Sequence, residues 1–508
     1  MLSRFKSTDL LQRRPLAFIL LALAVRAVYL MLSMSQLAPS DHTGWFFVES
    51  GDAALYLDPI DHLIEHGAYK DDYRMPGVGA PYFLFRQFLG PEASRQAMVI
   101  MQWLLSGVTT YILALLAWRL TGRHLAGMVV YFVFLVSAYS AWFDSVISSD
   151  SLSTSAMILH AWLLHRAVAE KRRDLLLIAG IMIAWLIFLR PISLLLLAPA
   201  AYVTWRYWDD QRRWRMAVLV LVPFLVLDSV WTIRNWQVNH RFRPLTNQGY
   251  QPDYFMREIR GHAMQFMQCY GGDYIWWNPH ADIRWFGIWK GGAALDNEGR
   301  DAKEPPPYAY VEGYDRDSLA SIGERVRMIE SGALTPEDSL RAVEEVNARF
   351  DRYAALFREK APFQYHVMSR LRMFRNLMGQ HGTESMILQP FAELPLGLKL
   401  FKMLQAALFI TVYGLFWLAL PVLAWQWRKD RTLLRALIPS TALYLTLIFP
   451  LGLRMCEWRY LALQFPFVLM LSTCLVLEAV VRMRGLRGAG SAKPDQSRST
   501  QVPPSSGK

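Results

Sequence analysis

Pro15-Leu-Ala-Phe-Ile-Leu-Leu-Ala-Leu-Ala-Val-Arg26-Ala-Val-Tyr29-Leu-Met-Leu-Ser-Met34 carries a single charge along its length. A hydrocarbon core of about 30 Å takes roughly 17–25 apolar residues of helix to cross, so the stretch reads as a membrane span. Arg26 lies well inside it, where an unpaired charge is costly. Similar apolar runs recur at 97–118, 125–142, 151–168, 216–236, 398–425, 433–453 and 460–481. The run 175–208 is interrupted by Arg190-Pro191, and a proline inside a helix removes a hydrogen bond and clashes with the preceding turn. Two short spans meeting at Arg190 are expected there. With 53% hydrophobic residues and a positive mean hydropathy over 508 residues, a soluble enzyme is excluded. The fold class expected is a mainly α, polytopic membrane protein with about ten transmembrane helices.

The formal charge of +12 does not point to nucleic acid, because the basic residues are dispersed between alternate spans. Segments 1–14, 119–123, 171–173, 206–215, 428–435 and 482–487 share one side, which the positive-inside rule assigns to the cytoplasm together with both termini. The first span is expected to be a retained membrane helix, since no small-x-small cleavage site follows it before Asp41. Four regions follow: a helical membrane module 1–236 with an external loop 37–96, an external segment 237–397, returning helices 398–484, and a polar, disordered cytoplasmic tail 485–508. Three cysteines exclude a disulfide framework, although Cys269 and Cys456 would share the outer side.

The first external loop contains Glu49-Ser-Gly-Asp52-Ala-Ala-Leu-Tyr56 and Tyr73-Arg74-Met-Pro76-Gly77-Val-Gly79-Ala-Pro81-Tyr82. Residues 58–66 read as a short amphipathic helix, and the Pro/Gly-rich stretch 75–81 as a rigid turn without helix. In the later segment, Thr335-Pro-Glu-Asp is an N-cap signature for a helix reaching about Arg358, after helix from Arg316, and 362–377 reads as a further helix.

Asp52, Arg74, Asp144, Asp150, Arg190, Arg234-Asn235, Arg454, Glu457 and Arg459-Tyr460 all fall at outward span ends in this topology. A lone arginine at a span end is ordinarily a snorkelling side chain. Several on the outer side run against the positive-inside bias. Guanidinium groups give bidentate, charge-assisted bonds to phosphate oxygens, and a carboxylate such as Asp52 can take the proton of an acceptor hydroxyl. Beside a greasy helix bundle, those needs describe sugar transfer from a lipid phosphate.

These pieces, Gly51-Asp52-Ala-Ala-Leu-Tyr56 with Gly67, Arg74-Met-Pro76, Ser149-Asp150, Leu189-Arg190-Pro191, Trp231-Thr-Ile-Arg234-Asn235-Trp236 and Glu457-Trp-Arg459-Tyr460, follow one another in the order found in GT-C superfamily glycosyltransferases. The chain resembles that class, which includes protein O-mannosyltransferases and the lipid A aminoarabinose transferase. The resemblance implies Asp52 as catalytic base, Asp150 as a second catalytic acid, and Arg74, Tyr56, Arg190, Arg234, Asn235, Arg459 and Tyr460 as substrate-binding residues. It also implies a polyprenyl-phosphate sugar as donor, a glycan, lipid or protein acceptor, membrane lipids as surroundings, and a bacterial inner membrane with the site facing outward. The family often has two adjacent acids where this chain has Asp52-Ala53, so Glu49 and Asp58 stay open as bases.

Other readings compete. Asp52 could cap a helix. Trp276, Trp277, Trp285 and Trp289 read as an interfacial aromatic belt or as sugar-stacking rings. His62, His66, His262 and His280 lack tight metal-ligand spacing. No cofactor or metal is assigned, with a divalent ion between Asp52 and Asp150 as the alternative. A lipid-linked glycan ligase or polymerase, or a transporter or flippase of lipid-linked sugars, would use similar charges. Alkaline phosphatase fused after Glu330 is expected to be active in a bacterial host, and after Lys171 inactive. The reverse pattern would invert the proposed orientation.

Overall fold

The computed structural model describes residues 10–35, 42–43, 47–48, 53–69, 74–208, 212–240, 242–245, 255–272, 283–288, 302–382, 386–387, 389–427 and 433–489. The molecule is mainly helical. Extended pairing among these residues includes the short ladder of His42–Thr43 with Phe47–Val48 and a bridge between Val311 and Tyr314. Four helices, Pro15–Ser35, Pro91–Thr121, Arg213–Val238 and Leu396–Val422, are long and apolar enough to cross a membrane. A fifth candidate is His124–Leu135 with Ala138–Asp144, two pieces bent by 60°. Ser149–Glu170 and Arg173–Leu189 lie between them, and Leu437–Leu453 and Phe465–Val481 are shorter apolar helices.

Local sequence explains the boundaries. Pro91 occupies the first turn of Pro91–Thr121, where its missing N–H costs nothing, and Gly122 closes the helix in the left-handed region at φ 66°. Arg173–Leu189 ends at Arg190, whose extended backbone leads into the 3-10 turn Pro191–Leu196 and then the helix Leu197–Tyr207. The break read from Arg190-Pro191 is therefore present. The expected turn at 75–81 ends sooner: a helix spans Gly79–Arg86 and includes Pro81. Proline fits there because the first turn's N–H groups have no intrahelical acceptor. The loop helix is likewise longer than its amphipathic part, running Ala53–His66.

Arg26 and Asp144 tie the first helices together. The Arg26 guanidinium donates to Asp144 Oδ2 at 3.3 Å, Ser140 Oγ at 3.1 Å and the Phe134 carbonyl at 3.3 Å, and lies 5.0 Å from the centre of the Phe134 ring. Asp144 Oδ1 accepts from Ser151 Oγ at 2.6 Å, and Gln102 Nε2 donates to the Asp144 carbonyl at 3.3 Å. One buried pair thus joins Pro15–Ser35, Pro91–Thr121, the bent piece and Ser149–Glu170.

A second core forms on Phe255–Tyr270, Arg316–Glu330 and Pro336–Lys360, with Phe266, Phe286, Phe350 and Phe357 at its centre. Thr335 caps the last of these helices, its Oγ1 accepting from the Asp338 N–H at 3.2 Å. The helix expected at 362–377 opens as a π turn, Gln364–Met368, before Ser369–Gly379. Met373 and Leu377 enter the larger core and Phe374 meets Trp417, so this helix joins the second core to the first. Cys269, Cys456 and Cys474 form no disulfide.

Removing one member of a buried ion pair costs about 3–5 kcal/mol, whereas an apolar replacement of both is often neutral. Asp144→Leu is accordingly expected to lower the melting temperature in detergent sharply, and adding Arg26→Met to restore most of it. A single variant as stable as the wild type would show that the pair does not hold these helices.

Candidate active site

Asp150 occupies the second position of Ser149–Glu170, and Ser148 caps that helix by accepting from the Asp150 N–H at 3.3 Å. Ser148 Oγ–H in turn donates to Asp150 Oδ2 at 2.9 Å. Asp150 Oδ1 accepts from Arg190 Nη2 in a buried ion pair. Both carboxylate oxygens are engaged, so Asp150 orients the guanidinium that ends the neighbouring helix. The helix N-terminus adds partial positive charge on the carboxylate's side.

Tyr56 reaches the same helix start, with its hydroxyl 3.3 Å from Ser149 Oγ. Arg74 lies over the Tyr56 ring with its guanidinium carbon 4.7 Å from the ring centre. Tyr69 donates to the Arg74 carbonyl at 3.0 Å and meets Trp231 edge-on at 5.6 Å. Arg234 sits 5.1 Å from the Tyr69 ring centre and 4.9 Å from that of Trp231, and donates to Asn235 Oδ1 at 2.8 Å. Asn235 Nδ2 donates to the Arg243 carbonyl at 3.0 Å. Six of the residues expected at the site, Tyr56, Arg74, Asp150, Arg190, Arg234 and Asn235, thus belong to one continuous network.

Arg459 and Tyr460 approach it less directly. Arg459 Nε lies 2.9 Å from Glu457 Oε2, and the Tyr460 ring stacks on Phe449 at 4.4 Å. Just before them, Trp458 packs on Phe143 at 5.0 Å and its carbonyl accepts from the Tyr139 hydroxyl at 2.5 Å. Tyr139, in turn, lies within electrostatic reach of Asp150 and Arg190. Asp52 and Glu49 lie outside the described residues, as do Trp276, Trp277, Trp289 and His280. Asp58 is on the exposed side of Ala53–His66.

The loop is braced so that the turn bearing Arg74 packs against the end of the helix that leads into Arg190. Tyr82 and Arg86 both donate to Asp61, at 3.1 Å and 2.7 Å, clamping Gly79–Arg86 to Ala53–His66. Burial, together with the Asp61 charge, pushes the Tyr82 hydroxyl up to about 12, so it remains a donor at any physiological pH. Trp185 Nε1 donates to the Gly77 carbonyl at 2.9 Å. A Cβ on Gly77 would lie inside the backbone of Phe188 and Leu189, the residues just before Arg190. Only glycine lets the Arg74 turn press against the end of that helix.

Ser148, Tyr69 and Tyr139 were not expected as site residues. The serine before an acid at a helix start is a capping signal, whereas the two tyrosines take their places through contacts distant in sequence. No family model matches the chain, and no curated protein or solved structure is significantly similar to it.

Gly77→Ala is expected to lower the melting temperature by displacing the turn, whereas Gly90→Ala, with nothing within 4 Å of the added carbon, should leave it unchanged. Equal melting temperatures for the two variants would refute this close approach.

Proposed function

We propose that the chain is an inverting glycosyltransferase of GT-C type, with a bundle of about ten membrane helices. It moves a hexosyl or pentosyl group from a polyprenyl-phosphate donor to a hydroxyl of a cell-envelope glycan, lipid or protein. The observation that carries this reading is the convergence of Arg74, Arg190 and Arg234 at one end of apolar helices, with Asp150 orienting Arg190. A phosphate headgroup fits that charge, and the polyprenyl chain fits the helix surfaces.

In the proposed reaction a carboxylate of the first loop, assigned to Asp52, takes the proton of the acceptor hydroxyl. The acceptor oxygen attacks the anomeric carbon from the face opposite the phosphate. As the new glycosidic bond forms, the anomeric carbon–oxygen bond to phosphate breaks and the lipid phosphate leaves with that bonding pair. The guanidinium groups stabilise the charge growing on its oxygens. Phosphate is a weak base and needs no protonating acid, so Asp150 serves by holding Arg190 in place. Arg459, on the loop before the last helix, is assigned to the same phosphate. The site is placed on the outer face of a bacterial inner membrane.

A flippase of lipid-linked sugars is the second reading, favoured by the buried Arg26–Asp144 pair within the helix bundle. Transfer of labelled sugar from a polyprenyl phosphate in proteoliposomes separates the two. Asp52→Asn is expected to reduce turnover by about 100-fold or more, the scale of a lost general base, and Arg190→Gln to reduce it strongly as well. Wild-type turnover in Asp52→Asn would remove Asp52 as base. Movement of the labelled lipid between leaflets without glycoside formation would remove the transferase reading.

A further inference from the structure

Three arginines outside this network surround one tyrosine where the second core meets the membrane helices. Arg454 lies 3.8 Å from the Tyr365 ring centre and Arg358 lies 5.9 Å from it. Arg370 donates through Nη1 to the carbonyls of Tyr365 at 3.1 Å and His366 at 2.9 Å, and through Nε to the Leu451 carbonyl at 2.9 Å. Among the described residues none of the three is paired with a carboxylate; Glu359 pairs with Lys360 and Glu457 with Arg459. Like charges are thus gathered against a ring and backbone carbonyls.

The backbone is irregular where they meet. Tyr365 and His366 belong to the π turn Gln364–Met368, and Leu451 belongs to a second π turn, Ile448–Leu453. Such turns are uncommon and concentrate at functional sites. Arg370 bridges the two, and Arg454 follows the second in the left-handed region at φ 55°, a conformation costly for a residue with a Cβ. Desolvation and the neighbouring Arg454 charge lower the Arg370 pKa, while burial pushes the Cys269 thiol up to about 11 against the lowering effect of Arg454 and Arg358. Among the described residues, the three guanidinium groups make the field at this junction positive.

An apolar strip runs beside it. Phe363, Val367 and Leu371, spaced by four residues, are 63%, 39% and 51% exposed, and Leu451 and Leu453 are also exposed. The strip gives acyl chains a surface next to the cations, the arrangement of an interfacial helix on anionic lipid. We propose that Arg358, Arg370 and Arg454, grouped around Tyr365, bind the phosphate of an anionic phospholipid headgroup and seat the second core on the outer leaflet. This site is separate from the donor site and does not depend on the transferase reading.

Native mass spectrometry of the full-length protein, titrated in detergent with phosphatidylglycerol or with phosphatidylcholine of the same chains, reads the site directly. A parallel arm adds inorganic phosphate. The wild type should bind phosphatidylglycerol more tightly than phosphatidylcholine. Arg358→Gln and Arg454→Gln should each weaken phosphatidylglycerol by about fivefold, the equivalent of about 1 kcal/mol per surface basic residue, without changing phosphatidylcholine binding. Arg454→Lys should retain most of the preference. Arg358 is exposed, so its variant keeps the test valid if Arg454→Gln fails to fold. An undiminished preference in Arg358→Gln would overturn the proposal, and inorganic phosphate binding as tightly as phosphatidylglycerol would overturn its assignment to lipid.

Discussion

A guanidinium buried at the end of an apolar helix must be neutralised where it stands, and Asp150 does this for Arg190. The cost of taking both ions out of water is recovered only when the remaining polar atoms are also partnered. Ser148 supplies one partner while it caps the helix bearing Asp150. The constraint then spreads: Arg190 ends its helix because Pro191 follows, and Gly77 brings the Arg74 turn against that same end. Three features of unlike kind, a helix start, a proline break and a glycine contact, therefore meet at one place.

The neighbouring Arg26–Asp144 pair gives the segment between them a double fastening. Asp144 and Asp150 flank a short stretch of buried serines, and Ser151 on the second helix returns a hydrogen bond to Asp144. Any shift of the bent Ala138–Asp144 piece would be felt at Asp150. Tyr139, bonded to the Trp458 carbonyl, extends the fastening to the loop carrying Arg459.

Much of this was legible in the sequence wherever the information is local. The apolar runs, the break at Arg190-Pro191 and the Thr335 cap correspond to observed helices because each depends on neighbours within a few residues. Pro81 was misread as a helix breaker, since its tolerance depends on lying in a first turn whose boundary composition does not mark. The arginines could be named as a set from their recurrence at span ends, but their seating on Tyr56, Tyr69 and Trp231 depends on contacts between distant segments. The π turns around Tyr365 had no sequence signal at all, and the helix expected there was regular. Asp52, the residue on which the proposed chemistry turns, lies outside the described residues.

Photo-crosslinking tests the central claim most directly. A polyprenyl phosphate carrying a diazirine on its phosphate-proximal isoprene, activated in membranes holding the full-length protein, would label whatever surrounds the headgroup. Adducts mapped by mass spectrometry to the segments bearing Tyr69, Arg190 and Trp231 are the predicted result, with labelling suppressed by unmodified polyprenyl phosphate. Competed labelling confined to the helices around Arg26 and Asp144 would contradict the account and place the lipid phosphate on a path through the bundle.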